Sequence, residues 1–236
     1  MKRTQRGLTL IELIIAMLLG TLVILAATQL FSANQQLFMT QQTTSRLMDD
    51  GQLLLRFIGS DMRQAGYSGG ALPEYSGVSF GVGGSADGDP SDQVAVRFNG
   101  EQDCQGTVNA VPVDIINLYF VNNNGELMCD GSLTVGSVAL VSGVEAFRVM
   151  YGLDMTQDGR PGPVRFMGAA AAQGAARPIV AIRLAILMAA GGSTLPLNEE
   201  RSWHVLDREV DTGEDRMVRR IFTSTFMLRS MDWEQL

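Results

Sequence analysis

One carboxylate in this chain lies where a carboxylate is costly. Glu12 sits inside an apolar run from Leu8 to Phe31. An acidic side chain in a membrane-length apolar helix costs roughly 3 kcal/mol on insertion scales, which marks it as a functional residue by default. Two kinds of chemistry fit. The group can sit near the interface and snorkel or stay protonated, or it can meet an opposite charge that offsets its burial. Lys2, Arg3 and Arg6 precede the run, and Gly7 stands at the polar–apolar boundary. In an ordinary secretory signal the cleavage site follows the apolar core. Here the cleavage-like position lies between Gly7 and Leu8, before the core, so the apolar segment would survive processing. Thr9 is read as helix packing, its hydroxyl bonding a carbonyl of the same helix.

Few other residues could do chemistry. Cys104 and Cys129 are the two cysteines. In an exported domain such a pair reads as a disulfide, worth roughly 3–4 kcal/mol by loop closure; the alternative is two free, buried thiols. Both flanks, Asp103-Cys104-Gln105-Gly106 and Met128-Cys129-Asp130-Gly131, read as strand-end loops. With no Cys-x-x-Cys and a single histidine, His204 beside Trp203, neither a zinc site nor a nucleophile–histidine set can be built. His204 is read as structural. Asp154-Met155-Thr156-Gln157-Asp158-Gly159 resembles the first half of a calcium loop, but Thr156 is a poor third-position ligand and Arg165 occupies the twelfth position, where a bidentate glutamate is required. A polar turn is expected. Asp87, Asp89 and Asp92 are read as a solvated acidic loop. Gly81-Val82-Gly83-Gly84 lacks the strand–turn–helix setting of a nucleotide loop. No enzyme, metal or cofactor is expected.

The elements that position Glu12 are legible. Leu8 to about Gly66 reads as one helix, with no proline before Pro73. At 1.5 Å per residue it would run about 85 Å, too long for a bilayer alone. Its first half is apolar all round. From Ser32 it becomes amphipathic, with Leu37, Phe38, Leu47, Leu54, Leu55, Phe57, Ile58 and Met62 on a helical period. Gly20 and Gly51 read as weak points, each costing about 1 kcal/mol against alanine. Residues 68–92 read as loop. Strands are expected at 94–98, 115–121, 138–141, 144–151, 179–187 and 219–228, a short Ala-rich helix at 166–176, and loop at 198–216.

Charge sets orientation and excludes one class of partner. The formal charge of −7 becomes −10 when the three leader cations are removed, which argues against nucleic acid. A cationic leader with no positive charge until Arg46 places the N-terminus in the cytoplasm and the domain outside it.

Arg6-Gly7-Leu8-Thr9-Leu10-Ile11-Glu12 resembles the class III signal of type IV prepilins, with Leu8 where phenylalanine is usual. Asn34-Gln35-Gln36-Leu37-Phe38, Asp50-Gly51-Gln52, Asp61-Met62-Arg63-Gln64-Ala65-Gly66-Tyr67, Leu127-Met128-Cys129 and Thr225-Phe226-Met227-Leu228-Arg229 resemble the PilW minor-pilin family. The resemblance implies an α+β, pilin-like fold, a long N-terminal helix packed on an antiparallel sheet domain. It divides the chain into a cleaved leader (1–7), a membrane and assembly half-helix (8–31), an amphipathic half-helix (32–66) and a periplasmic domain (67–236). It implies cleavage by prepilin peptidase after Gly7, N-methylation of Leu8, and pairing of Glu12 with the amine of an adjacent subunit. The implied partners are the inner membrane, other minor pilins and the major pilin. The implied role is initiation of type IV pilus assembly in a tip or priming complex. The rival readings are a type II secretion pseudopilin and a membrane-anchored binding or adhesive module.

Overall fold

A computed structural model describes residues 9–68, 77–79, 84–156, 162–175, 177–191, 195 and 198–228. Helix α1 spans Leu10–Gln64, 55 residues, a rise of about 82 Å. Thr9 is its N-cap; Ala65 and the left-handed Gly66 (φ 84°) end it. Every described residue through Gln35 is exposed, so the apolar half of α1 stands bare of protein. By length and composition this helix can cross a membrane. Burial begins in earnest at Leu47 and continues through Gly51, Leu54, Ile58, Gly59 and Met62, one stripe of a 3.6-residue period.

Three antiparallel β units follow. The first is a five-stranded sheet in the order β1 (Val78–Ser79), β2 (Val94–Gln102), β3 (Val108–Val121), β4 (Glu126–Gly131) and β5 (Val138–Ser142). The second is a four-stranded sheet in the order β11 (Val218–Met227), β8 (Ile179–Ala190), β6 (Val144–Asp154) and β7 (Val164–Met167). The third is a hairpin of β9 (Glu199–Val205) and β10 (Arg208–Asp215). A short helix, α2 (Ala169–Ala175), follows β7.

Alternation decides what each face of the four-stranded sheet covers. Ile182, Leu184 and Ile186 of β8 join Phe147, Val149 and Tyr151 of β6 and Phe222 and Phe226 of β11 in the main core, beneath α1. On the opposite face Ala146, Ala185 and Leu187 form a second core with Val205 of the hairpin.

Several sequence expectations are corrected. Residues 198–216 are not loop but mostly the β9–β10 hairpin. Its two-residue turn starts at Leu206 with φ 59°, so none of the usual Asn-Gly or Asp-Gly signal marks it. The 68–92 stretch contains β1 and a bridge between Ala86 and Gln93. Strands β4 and β7 were not anticipated. Cys129 lies inside β4 rather than in a strand-end loop. The Ala-rich helix is shorter than expected, because Phe166 and Met167 belong to β7.

Candidate functional site

Gly7 and Leu8 lie outside the described residues. Glu12 lies in the first turn of α1, in a reciprocal capping box. The Thr9 hydroxyl accepts from the Glu12 N–H at 3.3 Å, and the Glu12 carboxylate accepts from the Thr9 N–H at 3.4 Å. Thr9 therefore caps the helix instead of bonding a carbonyl within it, and the capping box turns the Glu12 carboxylate back toward the start of the chain. No protein group covers Glu12 among the described residues.

The other end of α1 is held to the domain by two devices. The first is steric. A Cβ on Gly51 would lie 2.5 Å from ring carbons of Phe222, and one on Gly59 would overlap the Phe226 ring. The two notches are eight residues apart on the helix, about 12 Å, and the two rings are four residues apart on β11, about 13 Å. Because the spacings match, β11 lies along α1 with each ring seated in a notch. Gly51 is thus a fitted contact rather than a weak point. Arg63 lies over the Phe226 ring at 5.9 Å from its centroid.

The second device is polar. Asp61, in the last turns of α1, accepts from Asn117 Nδ2 and from Tyr119 Oη, each at 2.6 Å. Asn117 and Tyr119 are fully buried on β3. Burial pushes the Asp61 carboxyl above the ordinary carboxylate value, against the pull of the Tyr119 and Asn117 hydrogen bonds. Burial, reinforced by the Asp61 charge, also raises the Tyr119 phenol. The other end of the Asn117 amide is fixed by the disulfide loop: its Oδ1 accepts from the Cys104 N–H at 3.2 Å. Cys104 and Cys129 are bonded, with Cα atoms 6.3 Å apart. Asp103 organises the same loop, accepting from the N–H groups of Gln105, Thr107 and Leu133. Helix end, central strand and disulfide loop form one connected network.

Sequence reasoning missed this network, since Asp61, Asn117 and Tyr119 are 56 and 58 positions apart. It also misjudged the acidic loop. Asp92 is buried, ion-paired with the buried Arg148, and accepts from Gly88 N–H at 2.9 Å and Val149 N–H at 2.8 Å. Arg148 reaches Asp207 at 3.0 Å, so the pair also ties down the hairpin turn. Asp87 accepts from the Ala169 and Ala170 N–H groups at the start of α2. Asp89 pairs with Arg208 at 3.2 Å. Asp154 accepts from Thr156 and Gly162, and these N–H donors, Thr156 first, hold its carboxyl below the ordinary range. Residues 157–159 of the calcium-like motif lie outside the described residues. Among the described residues no group of three or more potential metal ligands comes together. His204 is exposed on the hairpin, 3.9 Å from Glu209.

Comparison with known proteins then bears on identity. No curated protein sequence matches the chain. Among solved structures, a type IV-like pilin from Thermus thermophilus aligns at TM-score 0.48 and 17% identity, over 78% of this chain and 96% of that one. Residues 2–28 match the prokaryotic N-terminal methylation motif, and residues 118–230 match the family described as type IV pilus-assembly protein W. The methylation motif implies processing by prepilin peptidase and partners among pilus components. The chain is therefore similar to the PilW family of type IV pilus-assembly proteins over residues 118–230 and carries a prepilin-type methylation signal at its N-terminus.

Proposed function

We propose that this chain is a minor pilin that helps initiate type IV pilus assembly within a tip or priming complex. The observation that carries the reading is the bare apolar half of α1 with one carboxylate in its first turn. A passive anchor needs no charge there; a helix that must align with other helices does. In this reading prepilin peptidase cuts between Gly7 and Leu8 and the new amine is methylated. The subunit waits in the inner membrane with its domain in the periplasm. Glu12 then meets the amine of an adjacent subunit, and residues 67–236 select partners among the other minor pilins and the major pilin. The role is structural, not enzymatic.

Deletion of the gene, with surface pili and type II secretion measured together, tests this reading. Loss of pili with intact secretion is expected. Normal pili with lost secretion would instead assign the chain to a secretion pseudopilus.

A further inference from the structure

Two cavities on one flank of α1 share Phe57. The lower, about 210 Å³, is apolar, with Leu53 and Phe57 of the helix facing Leu140 and Val141 of β5. The upper, about 430 Å³, is acidic, lined by Asp61, Glu101 and Asp103 and by no basic residue. Together they make a groove that follows α1 from Asp50 to Gln64, about 21 Å or four turns. Its lower part is exposed where the helix has otherwise turned polar: Leu53 is 65% and Phe57 40% exposed.

We propose that this groove docks an amphipathic helix of a partner pilin subunit, an inference that rests on the assembly role proposed above. The helix would lay apolar residues at i and i+4 over Leu53, Phe57 and Leu140. An arginine or lysine within its next two turns would meet Glu101 and Asp61. Leu53 and Phe57 are themselves i and i+4, the ridge that a second helix accepts in its groove. Charge complementarity sets the polarity of the partner. Asp61 is held by Asn117 and Tyr119, and Asp103 by three backbone N–H groups, so two of the negative charges are fixed before the cation arrives. Glu101 is exposed and has no ion pair among the described residues. The exposed Met39 lies 18 residues, five whole turns, below Phe57 on the same side of α1, so a partner helix laid along the lower half leads up to the groove. A lipid headgroup does not fit the position. Asp50 stands about 28 Å above Phe31 along the helix, beyond the headgroup layer.

The test is a photo-crosslinking residue, p-benzoylphenylalanine, at Leu53 of the full chain in piliated cells, with crosslinked peptides sequenced by mass spectrometry. The expected product is a peptide of another pilin subunit with apolar residues at i and i+4 and a basic residue within two turns. Glu101→Arg, an exposed substitution, should cut the yield about tenfold at equal membrane level. Crosslinks to lipid or to a non-pilin protein, a silent position, or a yield indifferent to Glu101→Arg would each overturn the groove. Piliation of the deletion strain is scored in parallel. Normal pili there count against the assembly role, while the crosslink result decides the groove in either case.

Discussion

Replacing Asp61 isolates the polar half of the helix joint. Asp61→Ala removes the acceptor of two fully buried donors, Asn117 Nδ2 and Tyr119 Oη. A buried donor left unsatisfied costs about 1–3 kcal/mol, so the loss should be about 2–6 kcal/mol. A domain of ordinary stability has about 5–15 kcal/mol in all. Asp61→Asn keeps an oxygen for both donors and removes the charge that burial disfavours, so it should fall within about 1 kcal/mol of wild type. The two variants also separate by pH. The folded Asp61 carboxyl titrates above its unfolded value of 3.8, so between those two values the folded state holds a proton that the unfolded state lacks. Wild type should therefore gain stability relative to Asp61→Asn as pH falls through the raised value toward 3.8, and that gain should be lost again as pH rises. Urea unfolding of the full chain in detergent, followed by near-ultraviolet circular dichroism at several pH values, measures both effects. An Asp61→Ala variant as stable as Asp61→Asn, or a difference that runs the other way with pH, would refute the reasoning.

Gly51→Ala should destabilise by about 1–3 kcal/mol through overpacking against Phe222, although glycine to alanine in a free helix gains about 1 kcal/mol. Phe222→Leu should relieve part of that loss, which a double-mutant cycle measures. Cys104→Ser with Cys129→Ser should cost about 3.5 kcal/mol by loop closure across the 25-residue separation, and peptide mapping without reductant should find the two cysteines linked. N-terminal mass spectrometry of the membrane form should find methylated Leu8; a chain retaining residues 1–7 would remove the prepilin processing step. Glu12→Ala should leave membrane insertion and leader cleavage intact while incorporation into pili fails, and normal co-purification with pilus subunits would leave Glu12 with only a local capping role.

What the sequence disclosed is what periodicity and short motifs encode. The helix was legible because its residues run without proline, apolar all round at first and on a helical period from Ser32, and its ends fall within two residues of those expected. The central strand β8 was legible because it is almost continuously buried and apolar, and β6 because Phe147, Val149 and Tyr151 alternate along it. The hairpin was hidden for the opposite reason. Its strands carry Glu200, Ser202, His204, Glu209 and Asp211 outward, while Trp203, Val205, Val210 and Thr212 turn toward the sheet. At single-sequence level that alternation is swamped by charge. The joint was illegible because its meaning is relational: a glycine reads as a weak point until a phenylalanine about 170 positions away is seated against it. Asp92 misled in the same way, since nothing near it in sequence announces Arg148.

The joint also fixes a length. Each ring of β11 sits in a notch that only glycine leaves open, so sliding the domain along α1 would drive Phe222 and Phe226 into side chains such as Leu55 or Leu54. The domain can occupy one axial register only. Gly51 lies 39 residues above Glu12, about 58 Å along a helix with no proline to bend it. If Glu12 sets the height of one α1 against its neighbour, the glycine notches carry that height into the domain. The groove runs from Asp50 to Gln64, alongside both notches, and inherits the same register. Charge matching near the N-terminus and docking on the domain then become two readings of one alignment. A partner whose helix is displaced by a single turn, about 5.4 Å, would satisfy neither its amine at Glu12 nor its cation at Asp61 and Glu101. Specificity among similar subunits follows from that double requirement, because each contact alone is weak and both are met at one stagger only.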